Sequence, residues 1–238
     1  MDKAADPAVI DDLAVVRAGT AYFRRILNDL TDEELMLPSA LHGWTRKHLV
    51  AHVGYNARAL SRLVLWADTG DETPMYSSPD ARGAEIEFGA TLGTEALRHL
   101  CDHSAIDLDV RWRDLPVDRW SSEVVTAQGR TVPVSETVWM RIREVWLHAL
   151  DLEGMGRIQD VPDAVLKRLL GDVVTTWQAR DHLDGLSVVI DSGPTLGDPT
   201  GGRSVGGDLR ALVWWATGRG SDSGLTWIGR PAPAPRWI

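Results

Sequence analysis

The sequence predicts an α+β protein: an N-terminal up-and-down four-helix bundle over residues 1–155, followed by a small α/β domain over 160–238. Three observations carry this. Up to Leu152, long runs repeat apolar residues every three or four positions, the pattern of helices with one buried face. Gly154 to Pro162 (GMGRIQDVP) then breaks the pattern with glycine and proline, which suits a domain boundary. Beyond it the character changes, because the β-branched segment Leu186 to Asp191 (LSVVID) lies between helical stretches.

Taken in order, Ala8 to Leu30 is the first helix, with Leu13, Val16, Ala21, Phe23, Ile26 and Leu27 on its apolar side. Thr31 and Glu34 have the spacing of a capping box, so a short helical turn follows before Pro38 stops it. Trp44 to Asp68 is the second helix, opened by Thr45. Asp68 to Gly83 (DTGDETPMYSSPDARG) is a loop long enough to have a function, with Arg82 at its end. Periodicity then predicts a third helix from Ala84 to Asp114 with core candidates Ile86, Phe88, Leu92, Leu97, Leu100 and Leu108, closed by Pro116. A short hairpin is expected about Gln128-Gly129. The fourth helix runs from Val134 to Leu152 and stops before Gly154 and Gly156. In the second domain, Asp163 to Asp181 and Asp208 to Gly218 read as helices. Leu225 to Ile228 reads as a last strand, and the prolines of PAPAPRWI keep the tail extended.

Composition excludes several classes of function. The net charge of −9 leaves no dense Lys/Arg run for a nucleic-acid phosphate footprint or an anionic membrane. No basic segment followed by an apolar one opens the chain and no apolar run reaches membrane length, so a cytoplasmic protein is expected. The single cysteine, Cys101, rules out an internal disulfide and reads as a buried, inert thiol on a helix; thiol chemistry would have to use a thiol from outside. Eleven tryptophans against two phenylalanines point to tryptophan as core filler. GDPTGGRSVGG lacks both the Lys-Ser/Thr of a phosphate loop and the dinucleotide fingerprint, so it is turn chemistry.

The chemistry concentrates in Arg141 to Asp151 (RIREVWLHALD). Glu144 and His148, four apart, project from one face of a helix and can reach a single ion. His52, on the second helix, is the best third ligand, with His48 one turn before it ranked as a surface or supporting residue. His, Glu and His leave a coordination position open, the condition for a catalytic metal. Asp151 could orient His148 through its other ring nitrogen, although a surface carboxylate is the simpler reading. The residues alone leave alternatives open. A transferase or hydrolase could use the same three ligands, two histidines and a carboxylate also suit non-haem iron, and a non-enzymatic helical module could keep Glu144 and His148 as a core hydrogen bond.

The pair WTRKHLVAHV and REVWLHALD, about 90 residues apart, resembles the DinB-like metal-binding bundles and is most similar to the mycothiol-dependent maleylpyruvate isomerases. GDLRALVWWATGRG resembles the small sterol-carrier-protein-like domain that follows the bundle in that family. The resemblance implies His52, Glu144 and His148 as ligands of a divalent metal, usually zinc, and Arg82 as a residue needed for activity. It also implies mycothiol as cofactor and maleylpyruvate, a small dicarboxylate, as substrate. The implied chemistry is thiolate addition to the activated double bond, rotation and elimination to give fumarylpyruvate. Zinc would supply the thiolate and Arg82 a bidentate carboxylate contact.

Overall fold

A computed structural model describes residues 6–237 of the chain. The chain forms two compact units, Met1–Gly156 and Arg157–Ile238.

The first unit contains α1 (Pro7–Asp29), α2 (Asp32–Leu35), α3 (Arg46–Thr69), α4 (Ala81–Thr91), α5 (Thr94–Asp114) and α6 (Glu136–Asp151). Local chemistry sets where each begins. Asp6 caps α1 by accepting from the Ala8 N–H at 2.8 Å. The Thr31 hydroxyl accepts from the Glu34 N–H at 3.2 Å, while Glu34 accepts from the Thr31 N–H at 2.8 Å, completing a reciprocal box. Thr45 opens α3 with a histidine in place of the usual glutamate: its N–H donates to His48 Nδ1 at 3.3 Å.

Packing makes α3 the centre of the unit. It lies against α4, α5 and α6, and α1 closes the bundle by packing on α6. Leu49, Val50, Val53, Leu60 and Leu63 of α3 are completely buried, as are Val138 and Val145 of α6. Between α5 and α6, β1 (Glu123–Val125) and β2 (Thr131–Pro133) form an antiparallel hairpin in which Val124 faces Val132.

Four sequence expectations are corrected. The helix predicted over 84–114 is two helices, because Leu92 and Gly93 adopt extended backbone conformations between Thr91 and Thr94. The first of them starts before Arg82, which therefore lies in the first turn of α4 and not at the end of a loop. Phe88 is 62% exposed, since α4 buries only Ile86 and Gly89, on the side by which it packs closely on α3. That contact needs Gly89: a Cβ there would lie 2.6 Å from the Ala51 Cβ. At the end of α6 the left-handed residue is Glu153, with φ of 51°, and not a glycine. Gly156 serves a close approach instead, since its Cβ would stand 2.6 Å from the Ala149 carbonyl oxygen.

The second unit packs α7 (Asp163–Ala179) and α8 (Leu209–Ala216) with a four-stranded sheet. Its strands are β3 (Leu186–Ile190), β4 (Thr195–Gly197), β5 (Arg203–Gly207) and β6 (Thr226–Ile228), in the order β4-β3-β5-β6. The central pair is parallel and both edge strands are antiparallel to it. The Gly-rich run from Gly197 to Gly207 thus supplies turns and, beyond turn chemistry, the interior strand β5. Trp177 and Trp215 meet edge to face at 5.7 Å in the core. Among the described residues no helix is long and apolar enough to cross a membrane.

Candidate metal centre

Where α3 meets α6, His52, Glu144 and His148 bring one ligand atom each within 4.8 Å of one another. His52 sits in the second turn of α3 between Ala51 and Val53, both fully buried, and is itself 5% exposed. Glu144 and His148 stand one turn apart on the face of α6 toward it. The two imidazoles are edge to face, with centroids 5.0 Å apart.

Glu144 Oε2 is the centre of this arrangement. It lies 2.8 Å from His52 Nε2 and 3.2 Å from His148 Nε2, yet it is a buried atom that receives no aligned hydrogen bond. Two ring nitrogens and a carboxylate oxygen crowded together without donor–acceptor alignment are what a ligand set gathered around a common cation requires. The His148 tautomer agrees. Its Nδ1 is 2.8 Å from Asp151 Oδ2, an oxygen that can only accept, so the proton sits on Nδ1 and Nε2 is the ring nitrogen directed at the centre.

Electrostatics separates the two histidines. Burial pulls the His52 imidazole below its ordinary pKa, partly opposed by the Glu144 carboxylate. Burial acts on His148 in the same sense, but the hydrogen bond of Asp151 and the negative charges of Asp151 and Glu144 outweigh it and hold that ring above its ordinary value. Burial also disfavours ionised Glu144, yet the neighbouring His52 and His148 keep its carboxyl well below the usual range. The carboxylate is therefore ionised and available as a ligand.

Residues 16–153 match the family profile described as the mycothiol maleylpyruvate isomerase N-terminal domain. The chain belongs to this family. Two solved structures are similar to it, a crystal structure of the mycothiol-dependent maleylpyruvate isomerase and one of its H52A mutant. Each is 44% identical to this chain, covers 96% of it and 97% of its own length, and has a TM-score of 0.91. Among curated proteins no sequence matches. Membership of the maleylpyruvate isomerase family agrees with the α+β class expected from sequence, a helical bundle followed by a small α/β unit.

In this family member the other expected residues are distributed around the triad as follows. His48 is outside the cluster: its Nδ1 faces Thr45, and its Nε2 is 3.6 Å from Glu87 on α4. Asp151 is wholly buried, not a surface carboxylate, and faces His148. Arg82 is exposed on α4, close enough for its charge to act on His52. Cys101 is buried, donates to the Val50 carbonyl at 3.1 Å and has its thiol pushed up to about 12 by burial, so it is not a nucleophile.

Sequence reasoning missed Tyr76. This half-buried side chain has its hydroxyl pKa raised by burial, with the charges of Arg82 and Glu144 also acting on it. Its neighbour Met75 fixes the loop: the Met75 carbonyl accepts from Arg62 at 2.5 Å, and its sulfur accepts from the Ala127 N–H at 3.2 Å. The available signal was slight, one aromatic residue in a loop otherwise rich in glycine, proline, serine and aspartate.

Proposed function

We propose that this chain is a mycothiol-dependent maleylpyruvate isomerase, converting maleylpyruvate to fumarylpyruvate with a divalent metal, zinc first, held by His52, Glu144 and His148. The observation that carries the reading is the buried Glu144 oxygen set between two imidazole nitrogens without a hydrogen bond. Its support is the family, and the 44% identity over nearly the full length to a protein described as this enzyme.

The residues fit the metal by donor chemistry. Two neutral imidazoles and one carboxylate suit a borderline-soft divalent ion and leave room for an exogenous ligand. A cation at that position supplies the positive charge that keeps a thiol such as mycothiol deprotonated at neutral pH.

The chain's own groups do the rest. Asp151 holds the His148 ring and its proton at Nδ1, so that Nε2 stays available. Arg82 binds a carboxylate of the substrate through its fork of donors and stays charged throughout. Cis–trans isomerisation changes neither oxidation state nor composition, so no redox group and no base for hydrolysis are required of the site. The partners on this reading are a small dicarboxylate and a low-molecular-weight thiol.

The experiment is conversion of maleylpyruvate by the metal-loaded protein with and without mycothiol, beside His52→Ala. Conversion that needs the thiol and disappears in the variant is the expected result. No conversion by protein that carries its metal would overturn the isomerase reading and leave the metal reading standing.

A further inference from the structure

α1 and α5 close the bundle with little direct contact, and a cavity of about 390 Å³ lies between them. That volume is in the range of sites for small organic ligands. Two ion pairs cross its mouth, Arg17 to Asp109 and Arg24 to Asp102, each at 2.6 Å. The arginines are seven residues apart on α1, and so are the aspartates on α5, which leaves a window roughly 10 Å long between the pairs. Small residues, Thr20 on one helix and Ala105 on the other, border it.

At the inner end of the cavity is Arg141 of α6, 2% exposed. Its Nη1 donates to the Val53 carbonyl at 2.7 Å and to Asn56 Oδ1 at 3.0 Å, both uncharged. Among the described residues it forms no ion pair, and Nε and Nη2 donate to no protein acceptor. The carboxylate whose charge reaches it, Glu144, is engaged with His52 and His148. A guanidinium this nearly enclosed and without a counter-ion is costly unless the cavity supplies partners for its remaining donors.

We propose that the α1–α5 cavity is a binding site for a small amphipathic carboxylate, separate from the metal-ligand cluster. Arg141 takes the carboxylate, and Val16, Leu108 and Trp112 take the apolar body. A guanidinium with two free donors matches a carboxylate in shape and charge, whereas a neutral ligand would leave the buried cation uncompensated. Ile106 and Val110, 55% and 37% exposed beside the opening, give it an apolar lip that suits the same kind of molecule.

The test is calorimetric titration of the full, metal-loaded chain with 4-phenylbutyrate and with its neutral amide. The acid should bind roughly 10- to 100-fold more tightly than the amide, the range expected for a hydrogen-bonded charge. Arg141→Met should remove that preference. Ala105→Phe, which fills the window and leaves Arg141 in place, should abolish binding, and it carries the test if Arg141→Met does not fold. His52→Ala should leave binding intact, separating this cavity from a carboxylate bound to metal. The proposal is overturned if the acid does not bind up to its solubility limit, if acid and amide bind alike, if Ala105→Phe binds normally, or if His52→Ala loses binding.

Discussion

His148 Nδ1 faces Asp151 Oδ2 at 2.8 Å, and Asp151 has no exposed surface. A carboxylate at the C-terminal end of a helix opposes the helix dipole, so burying one there is unfavourable unless it bonds a group that needs it. On the proposed reading that group is the ligand histidine. Asp151→Asn keeps the shape and removes the charge, and metal affinity should fall roughly 10- to 100-fold. Competition with a chromogenic chelator measures it, and an unchanged dissociation constant would count against the role.

Arg82 should matter for turnover and not for metal content. Arg82→Lys keeps a positive charge but not the planar fork, so kcat/KM should fall roughly 10- to 100-fold while bound metal stays the same. Steady-state kinetics beside metal analysis separates the two. Loss of metal in this variant would mean that Arg82 supports the ligands and not the substrate.

Gly89 should be the position in α4 least tolerant of a methyl group. Gly89→Ala gains about 1 kcal/mol in helix propensity, but its Cβ meets Ala51 at 2.6 Å and Tyr55 at 2.8 Å. Overpacking of that kind costs about 1–3 kcal/mol, so the variant should melt at a lower temperature. Gly83→Ala in the same helix meets nothing within 4 Å and should be stabilising, which makes it the control in thermal denaturation.

Cys101 should make stability fall in alkali. Its thiol is raised from 9.0 to about 12 in the folded chain, so the unfolded chain loses that proton first as pH rises. The contribution is complete below the unfolded value and is lost between pH 9 and about 12, at about 1.4 kcal/mol per pH unit. Cys101→Ala should lack this slope in denaturant titrations. Native protein at neutral pH should also resist thiol reagents that label the unfolded chain.

The elements legible in the sequence were those governed by local rules. The i,i+4 spacing of Glu144 and His148 specifies a shared helix face, and the Thr31–Glu34 box specifies a helix start, with no knowledge of the rest of the chain. Phe88 shows where such rules stop. It continues an apolar period, yet α4 turns it to solvent because a backbone break at Leu92–Gly93 frees that helix from the direction of α5. Arg82 and Tyr76 depend on how the loop after α3 folds back, which contacts from Arg62 and Ala127 to Met75 decide. Contacts between residues so far apart leave no periodic trace. Asp151 was equally ambiguous, since the same helix position can face water or a neighbour.

The packing of α6 on both α1 and α3 also fixes the order in which the site can come into being. During synthesis, His52 emerges long before its companions, and α1 must wait for a partner more than 100 residues downstream. For a helical unit this is a long-range pairing, which adds a loop-closure cost that local helix growth does not carry. The nascent chain up to the hairpin holds one of the three proposed ligands and cannot form the cluster. On the proposed reading the three ligands come together only when α6 docks on α3, and the bonds from Arg141 to Val53 and Asn56 hold α6 in that register without help from an ion.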